Sequence, residues 1–169
     1  MTAAPPPDTT PIMPPYVGRL RAEHYKSVRD IFCDAFHKEG LKTSDLGISW
    51  RNKACALGVF SWEGDLLGFV ITSFHKRSGG SRYIDYLAIH TAHRGQNLGN
   101  KLLKFVRRIS YIEKKSLHLW PLDNKKLIDW YKSHGFYHSN GTYYTSHAYE
   151  TRSQAPFESS LTSSKYTSD

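Results

Sequence analysis

Apolar positions along the chain change period several times, and each change marks an element. Between Arg21 and Phe36 they fall at Tyr25, Val28, Phe32, Ala35 and Phe36, the spacing of an amphipathic helix. A short strand is expected before it, from Tyr16 to Leu20, and Gly40 is expected to close it. Leu41 to Asn52, with Leu46, Ile48 and Trp50, reads as a second, less regular helical or looped segment. Ala56 to Trp62 and Leu66 to Phe74 are apolar runs joined by Glu63-Gly64-Asp65, a strong hairpin signal. After the basic loop His75–Gly80, the run Tyr83-Ile84-Asp85-Tyr86-Leu87-Ala88-Ile89 is short, apolar and rich in aromatic and β-branched residues, as a buried strand requires. Helical spacing returns through Leu98, Leu102, Phe105, Val106 and Ile109. Ser116 to Leu122 reads as a strand whose pairing should end early at Pro121, which cannot donate to a ladder. A helix with Leu127, Trp130 and Tyr131 on its apolar face follows, capped by Asp123 or Asn124 and ended by Gly135. Phe136 to His138 and Thr142 to Tyr149 flank Asn140-Gly141, the strongest two-residue hairpin signal.

Strands adjacent in sequence should pair antiparallel, which argues against a doubly wound sheet. The strand at Tyr83 and the one at Ser116 are joined through a helix and should be parallel neighbours. The expected fold is α/β, a mixed and mostly antiparallel sheet with helices on both faces. At 169 residues and 39% hydrophobic the chain suffices for one domain with a real core. That domain is placed at 16–150, between a Pro-rich arm over 1–15 and a Ser/Thr-rich tail over 151–169, both expected to be disordered. Met1 to Pro15 holds six prolines, no Lys or Arg and no apolar core, so it resembles neither a signal peptide nor a membrane span. The longest apolar run, Leu66 to Ile71, is too short to cross a bilayer. Two cysteines, Cys33 and Cys55, argue against a disulfide scaffold and suit a reducing compartment, so an intracellular, cytoplasmic location is expected.

The segment Arg94-Gly95-Gln96-Asn97-Leu98-Gly99-Asn100 joins a strand to a helix. A helix beginning after such a loop directs unpaired N–H groups and its positive dipole end at whatever lies before it, which makes an anion site. The dinucleotide pattern G-x-G-x-x-G and the Gly-Lys-Ser/Thr ending of a nucleotide P-loop are both absent. A net charge of +8 suits nucleic acid, acidic membranes or an anionic ligand. Lys101, Lys104 and Arg108 share a helix face, and Lys114, Lys115, Lys125 and Lys126 follow, so a ligand with several phosphates is the most economical partner.

Arg94-x-x-Asn97-x-Gly99 resembles motif A of the GNAT superfamily of N-acetyltransferases, Arg/Gln-x-x-Gly-x-Gly/Ala, with Asn97 where the family usually has Gly. Asn is the non-glycine residue that best tolerates positive φ. Asn124, Tyr131, Gly135 and Phe136 match motif B in identity and spacing, whereas Leu127, Trp130 and Ser133 replace its usual residues. The resemblance covers about Tyr16 to Glu150. It implies a splay between the two parallel strands that admits the thioester arm of acetyl-CoA, and an acceptor pocket shaped near Leu41–Asn52. It further implies donor binding by Leu87, Ala88 and Ile89, by Arg94, Gly95, Gln96, Asn97, Leu98, Gly99, Asn100 and Lys101, and by Asn124, with Gln96 to Lys101 supplying backbone N–H groups to the pyrophosphate. Tyr131 falls at the position that protonates the leaving thiolate. Acetyl-CoA and an amine acceptor, with no membrane and no nucleic acid, are the implied partners; a homodimer is left open.

Direct attack also needs a base. Asp85 is the choice, because two residues before Leu87 on a regular strand puts it on the same face; pairing with a nearby Lys or Arg is the plainer explanation of this residue. Tyr83, His90 and His118 are further candidates. The nine histidines form no metal-ligand pattern, and no metal is expected. Neither cysteine stands in a nucleophile motif. Few residues extend beyond the common core, which favours a small amine over a protein lysine. The readings from another class are a basic nucleic-acid-binding module, which should interleave aromatics with Lys and Arg on an exposed sheet face, and a silent acyl-CoA binder.

Overall fold

The structure is a computed structural model and describes residues 13–74, 80–139 and 142–145. The arm before Met13, residues 75–79 of the basic loop, the Asn140-Gly141 turn, the strand continuation beyond Thr145 and the tail lie outside the described residues.

In chain order the elements are β1 (Tyr16–Arg19), α1 (Tyr25–Phe36), α2 (Thr43–Asn52), β2 (Cys55–Phe60), β3 (Leu66–Phe74), β4 (Arg82–Ile89), α3 (Leu98–Ile112), β5 (Leu117–Leu119), α4 (Lys125–Ser133), β6 (Tyr137–Ser139) and β7 (Thr142–Thr145). Single 3₁₀ turns at Ala22–His24 and Thr91–His93 precede α1 and follow β4. Among the described residues the strands form one seven-stranded sheet in the order β1-β2-β3-β4-β5-β7-β6. Every pairing is antiparallel except β4 with β5, which are joined through α3 as expected.

Alternation along the central strands builds a core on each face. Ala56, Phe60, Phe69, Ile71 and Ala88 pack with Val28, Ile31 and Phe32 of α1 and Leu46 of α2. Leu57, Val59, Val70 and Ile84 pack with Leu98, Leu102, Leu103 and Val106 of α3 and Tyr131 of α4. Burial on both faces is why β2 and β3 read as continuous apolar runs.

Three expectations change. The second segment is a regular helix, α2. The strand expected to reach Leu122 stops at Leu119, before Pro121 could disturb it. On α3 the buried stripe is Leu98, Leu102, Leu103 and Val106, while Phe105 is 45% exposed. Ser110 is buried as well, so the arc runs around the helix from Leu98 through Leu102, Val106 and Ser110 to Leu103, and Phe105 falls just outside its Leu98 edge.

Candidate active site

The first part of the site is the start of α3. Gly95 and Asn97 both take left-handed backbone, at φ +79° and +63°, so Asn97 keeps the conformation that Gly would supply at this position. The loop delivers the first turn with the N–H groups of Leu98, Gly99 and Asn100 directed back at it. Lys101 belongs differently: its N–H donates to the Asn97 carbonyl at 3.2 Å and its Nζ donates to the Pro15 carbonyl at 2.6 Å, so it adds no free amide. His93, Arg94, Gly95, Asn97, Leu98, Gly99, Asn100, Ile89 and Trp130 line a pocket of about 320 Å³. Exposed Gln96 is not among these lining residues.

The basic residues do not all gather here. At about 1.5 Å rise per residue, α3 carries Lys114 roughly 24 Å from Leu98. Lys115 donates from Nζ to the Gly80 carbonyl at 3.0 Å and stands over the Phe74 ring, and Lys125 pairs with Asp129 at 2.5 Å. The neighbourhood of the α3 start keeps Arg94 and the helix dipole.

The second part is an open strand edge. β4 pairs with β5 only at Arg82–Leu117, Tyr83–His118 and Ile84–Leu119. Among the described residues the β5 ladder does not continue along this edge of β4 beyond Ile84. The His90 N–H donates to the Leu67 carbonyl at 2.9 Å. By the antiparallel alternation, Ala88 and Tyr86 then turn their polar groups to β3, and Leu87 and Ile89 turn theirs to the gap. Arg94 Nε donates to the Ile89 carbonyl at 3.2 Å, holding the loop against this edge. Ala88 adds nothing to the gap: its polar groups serve the ladder, and its side chain is buried in the α1 core.

The third part lies where the gap begins, beside the last paired residues Ile84 and Leu119. A pocket of about 200 Å³ is lined by Ile84, Asp85, Tyr86 and Leu87 of β4, Leu119, Trp120, Pro121 and Leu122 at and after β5, Leu127 and Tyr131 of α4, and Phe36 and Leu41 before α2. Asp85 and Tyr131, chosen from different motifs, thus line one pocket with Leu87. The route that put Asp85 there needs correction. The β3–β4 register slips between Ile71 and Thr72, which face Tyr86 and Ile84, and leaves Asp85 in a bulge. Ile84 and Leu87, three apart, both join the α3-side core. Asp85 instead accepts a hydrogen bond from Ser73 Oγ at 2.7 Å.

Tyr131 is 5% exposed, edge-on to Trp130 and Phe136 with centroids at 4.8 and 5.5 Å. Burial pushes its phenol well above the ordinary tyrosine range, so it holds its proton at neutral pH. Motif B positions it through both ends of α4. Asn124 Oδ1 accepts the Leu127 N–H at 3.2 Å as N-cap. Gly135, at φ +81°, lets the Gly135 and Phe136 N–H groups return to the Lys132 and Tyr131 carbonyls. Asn124 lines neither pocket and serves α4.

The remaining candidates are engaged elsewhere. Tyr83 stacks between His118 and Trp120 at 4.9 and 5.0 Å. His118 Nε2 lies 2.8 Å from Ser116 Oγ, and burial lowers its pKa, favouring the neutral ring. His90 Nδ1 accepts the Ala92 N–H at 3.2 Å. Burial raises the thiol pKa of Cys55, which opposes a nucleophile, and Cys33 is exposed on α1. Phe36, Leu41, Tyr86 and Trp120 are pocket residues that no motif marked. They come together from separate elements, and Tyr86 also keeps its proton, through burial first and then the charges of Asp45 and Asp85.

An anion-directed helix start beside a strand edge opened by a short parallel pair defines the architecture of an acyltransferase. A family model for the GNAT acetyltransferase domain matches residues 54–138, and the chain belongs to that family. Among solved structures it is similar to the ribosomal-protein-S18-alanine N-acetyltransferase of Escherichia coli, with TM-score 0.64 and 17% identity over 75% of this chain and 79% of that one. It is also similar to a GNAT acetyltransferase of Brucella melitensis solved with acetyl-CoA, at 0.61 and 15% over 78% and 87%. A GNAT N-acetyltransferase of Escherichia coli solved with CoA gives 0.68 and 14% over 82% and 84%. At these identities the likeness is one of fold. No curated protein sequence gives a significant match.

Proposed function

We propose that the protein transfers the acetyl group of acetyl-CoA to a primary amine by direct attack in a ternary complex, with a small-molecule amine as acceptor. The observation that carries this is the continuity of the parts. The α3 start, the Leu87 and Ile89 edge, and the pocket shared by Asp85 and Tyr131 lie along one path. The donor's pyrophosphate meets the amides of Leu98, Gly99 and Asn100, and its pantetheine arm completes the open edge of β4 as a strand would. The thioester carbonyl is oriented by backbone groups at Leu87, where preorganised donors act without a special side chain. Asp85 takes a proton from the incoming ammonium, the amine nitrogen bonds to the carbonyl carbon, and the C–S bond breaks. The departing thiolate receives the Tyr131 proton, and the second proton, shed by the nitrogen as the amide forms, restores the phenolate to its hydroxyl. The small acceptor pocket and its closely set lining residues support a compact amine.

The test mixes the protein with acetyl-CoA and a panel of polyamines, aminoglycosides, arylamines and histone peptides, following free thiol and the melting temperature. The expected result is a rise in melting temperature with acetyl-CoA, lost in Gly99→Asp, and thiol release with a small amine. Release with peptides alone replaces the small acceptor by a protein lysine. A thermal shift with no release across the panel leaves a silent binder, and no shift removes the proposal.

A further inference from the structure

Asn97, where this chain departs from motif A, is braced from another helix. Asn97 occupies left-handed backbone at the turn into α3, a conformation that costs a residue with a Cβ more than it costs Gly. Its side-chain carbonyl accepts a hydrogen bond from Asn100 Nδ2, one turn further along α3. Asn100 Oδ1 in turn accepts the indole N–H of Trp130 at 2.9 Å. Trp130 stands on α4, one residue before Tyr131, so the chain Trp130–Asn100–Asn97 runs from the helix of the acid to the loop of the phosphates.

The brace has a wall as well as a bond. The Trp130 ring lies against Gly99, where a Cβ would sit 3.6 Å from ring carbon Cζ2, and both residues line the α3-start pocket. Trp130 is fixed from behind: His134 Nδ1 lies 2.7 Å from its carbonyl oxygen, and the two rings are 4.6 Å apart. An indole held on one side by a ring and on the other by a hydrogen bond has little freedom to turn.

We propose that Trp130 and Asn100 are positioning residues for the donor's pyrophosphate. They fix Asn97 in left-handed backbone, and so aim the Leu98, Gly99 and Asn100 amides, in place of the conformational freedom of a glycine. The inference rests on the donor site proposed above. It makes Asn97, Asn100 and Trp130 one coupled unit in which each substitution matters only while the others are present. It also gives Trp130, a departure from motif B, a task paired with the departure at Asn97.

The experiment is a mutant cycle read by calorimetric CoA affinity and steady-state kinetics on the full chain. Asn100→Ala is expected to weaken CoA by roughly three- to tenfold, the worth of one net hydrogen bond. The acetyl-CoA KM should rise in step, with a smaller change in kcat. Trp130→Phe keeps a ring against Gly99 but removes the N–H, and should act in the same direction. Asn97→Gly supplies the turn without a brace, and on that background Asn100→Ala should change CoA affinity less than twofold. A merely structural contact would instead lower the melting temperature and leave CoA affinity and KM alone. If the parent binds CoA, the proposal is overturned when Asn100→Ala binds as the parent does, or loses the same factor with and without Asn97→Gly. If the parent itself fails to bind CoA, the donor site falls and the brace with it.

Discussion

At the scale of one residue, the proposed acid role of Tyr131 rests on a single hydroxyl. Its hydroxyl is buried and protonated, as a group that must give a proton to a thiolate requires. Tyr131→Phe keeps the ring packed on Trp130 and Phe136 and deletes that proton. Turnover is expected to fall by about 10²-fold at unchanged acetyl-CoA affinity and melting temperature; a loss in melting temperature with normal turnover per folded molecule would leave a core tyrosine. Residues of this kind were legible in the sequence because local punctuation marks them: Asn124 and Gly135 delimit α4, and Asn97 and Gly99 delimit the turn into α3. The surroundings of Asp85 were not legible. A bulge is a property of two strands in register, and nothing in the composition of β4 states that Ile71 will face Tyr86 while Thr72 faces Ile84. Trp120 and Phe36 escaped for a similar reason, since each becomes a pocket residue only through elements far apart in the chain.

At the scale of elements, α1 is tied to the turn that follows β4. The Asp34 carboxylate accepts both the N–H and the hydroxyl of Thr91 at 2.9 Å, and these bonds, the backbone one first, hold its pKa below the ordinary value. A depressed carboxylate stabilises the fold above its unfolded pKa, about 3.9, and that contribution is lost as pH falls through the lower folded value. Asp34→Asn is therefore expected to lower the melting temperature modestly at pH 7, with the difference from the parent closing as the pH is taken below about 4. A difference independent of pH would mean that shape, not charge, makes the tie. The helices and long strands were legible because their apolar periods are long. The length of β5 was not: Pro121 warns of an end but does not say that pairing already stops at Leu119.

For the whole molecule, the gap between β4 and β5 has a consequence apart from catalysis. The sheet from β1 to β4 is held by long antiparallel ladders between neighbours in sequence. The remainder, β5 with β7 and β6, joins it through the short Arg82–Ile84 seam and through side chains beneath α3 and α4. Strands so attached are expected to form a cooperative unit of lower stability than the rest. Backbone amide exchange under native conditions is expected to show this as two tiers. Amides of β2 and β3 should exchange only through global unfolding, while those of β7 exchange through a smaller opening that responds weakly to denaturant. Equal protection and equal denaturant dependence across all seven strands would show instead that packing beneath α3 and α4 welds the two parts into one unit. The gap proposed to admit the donor is thus also the line along which the sheet is expected to come apart first.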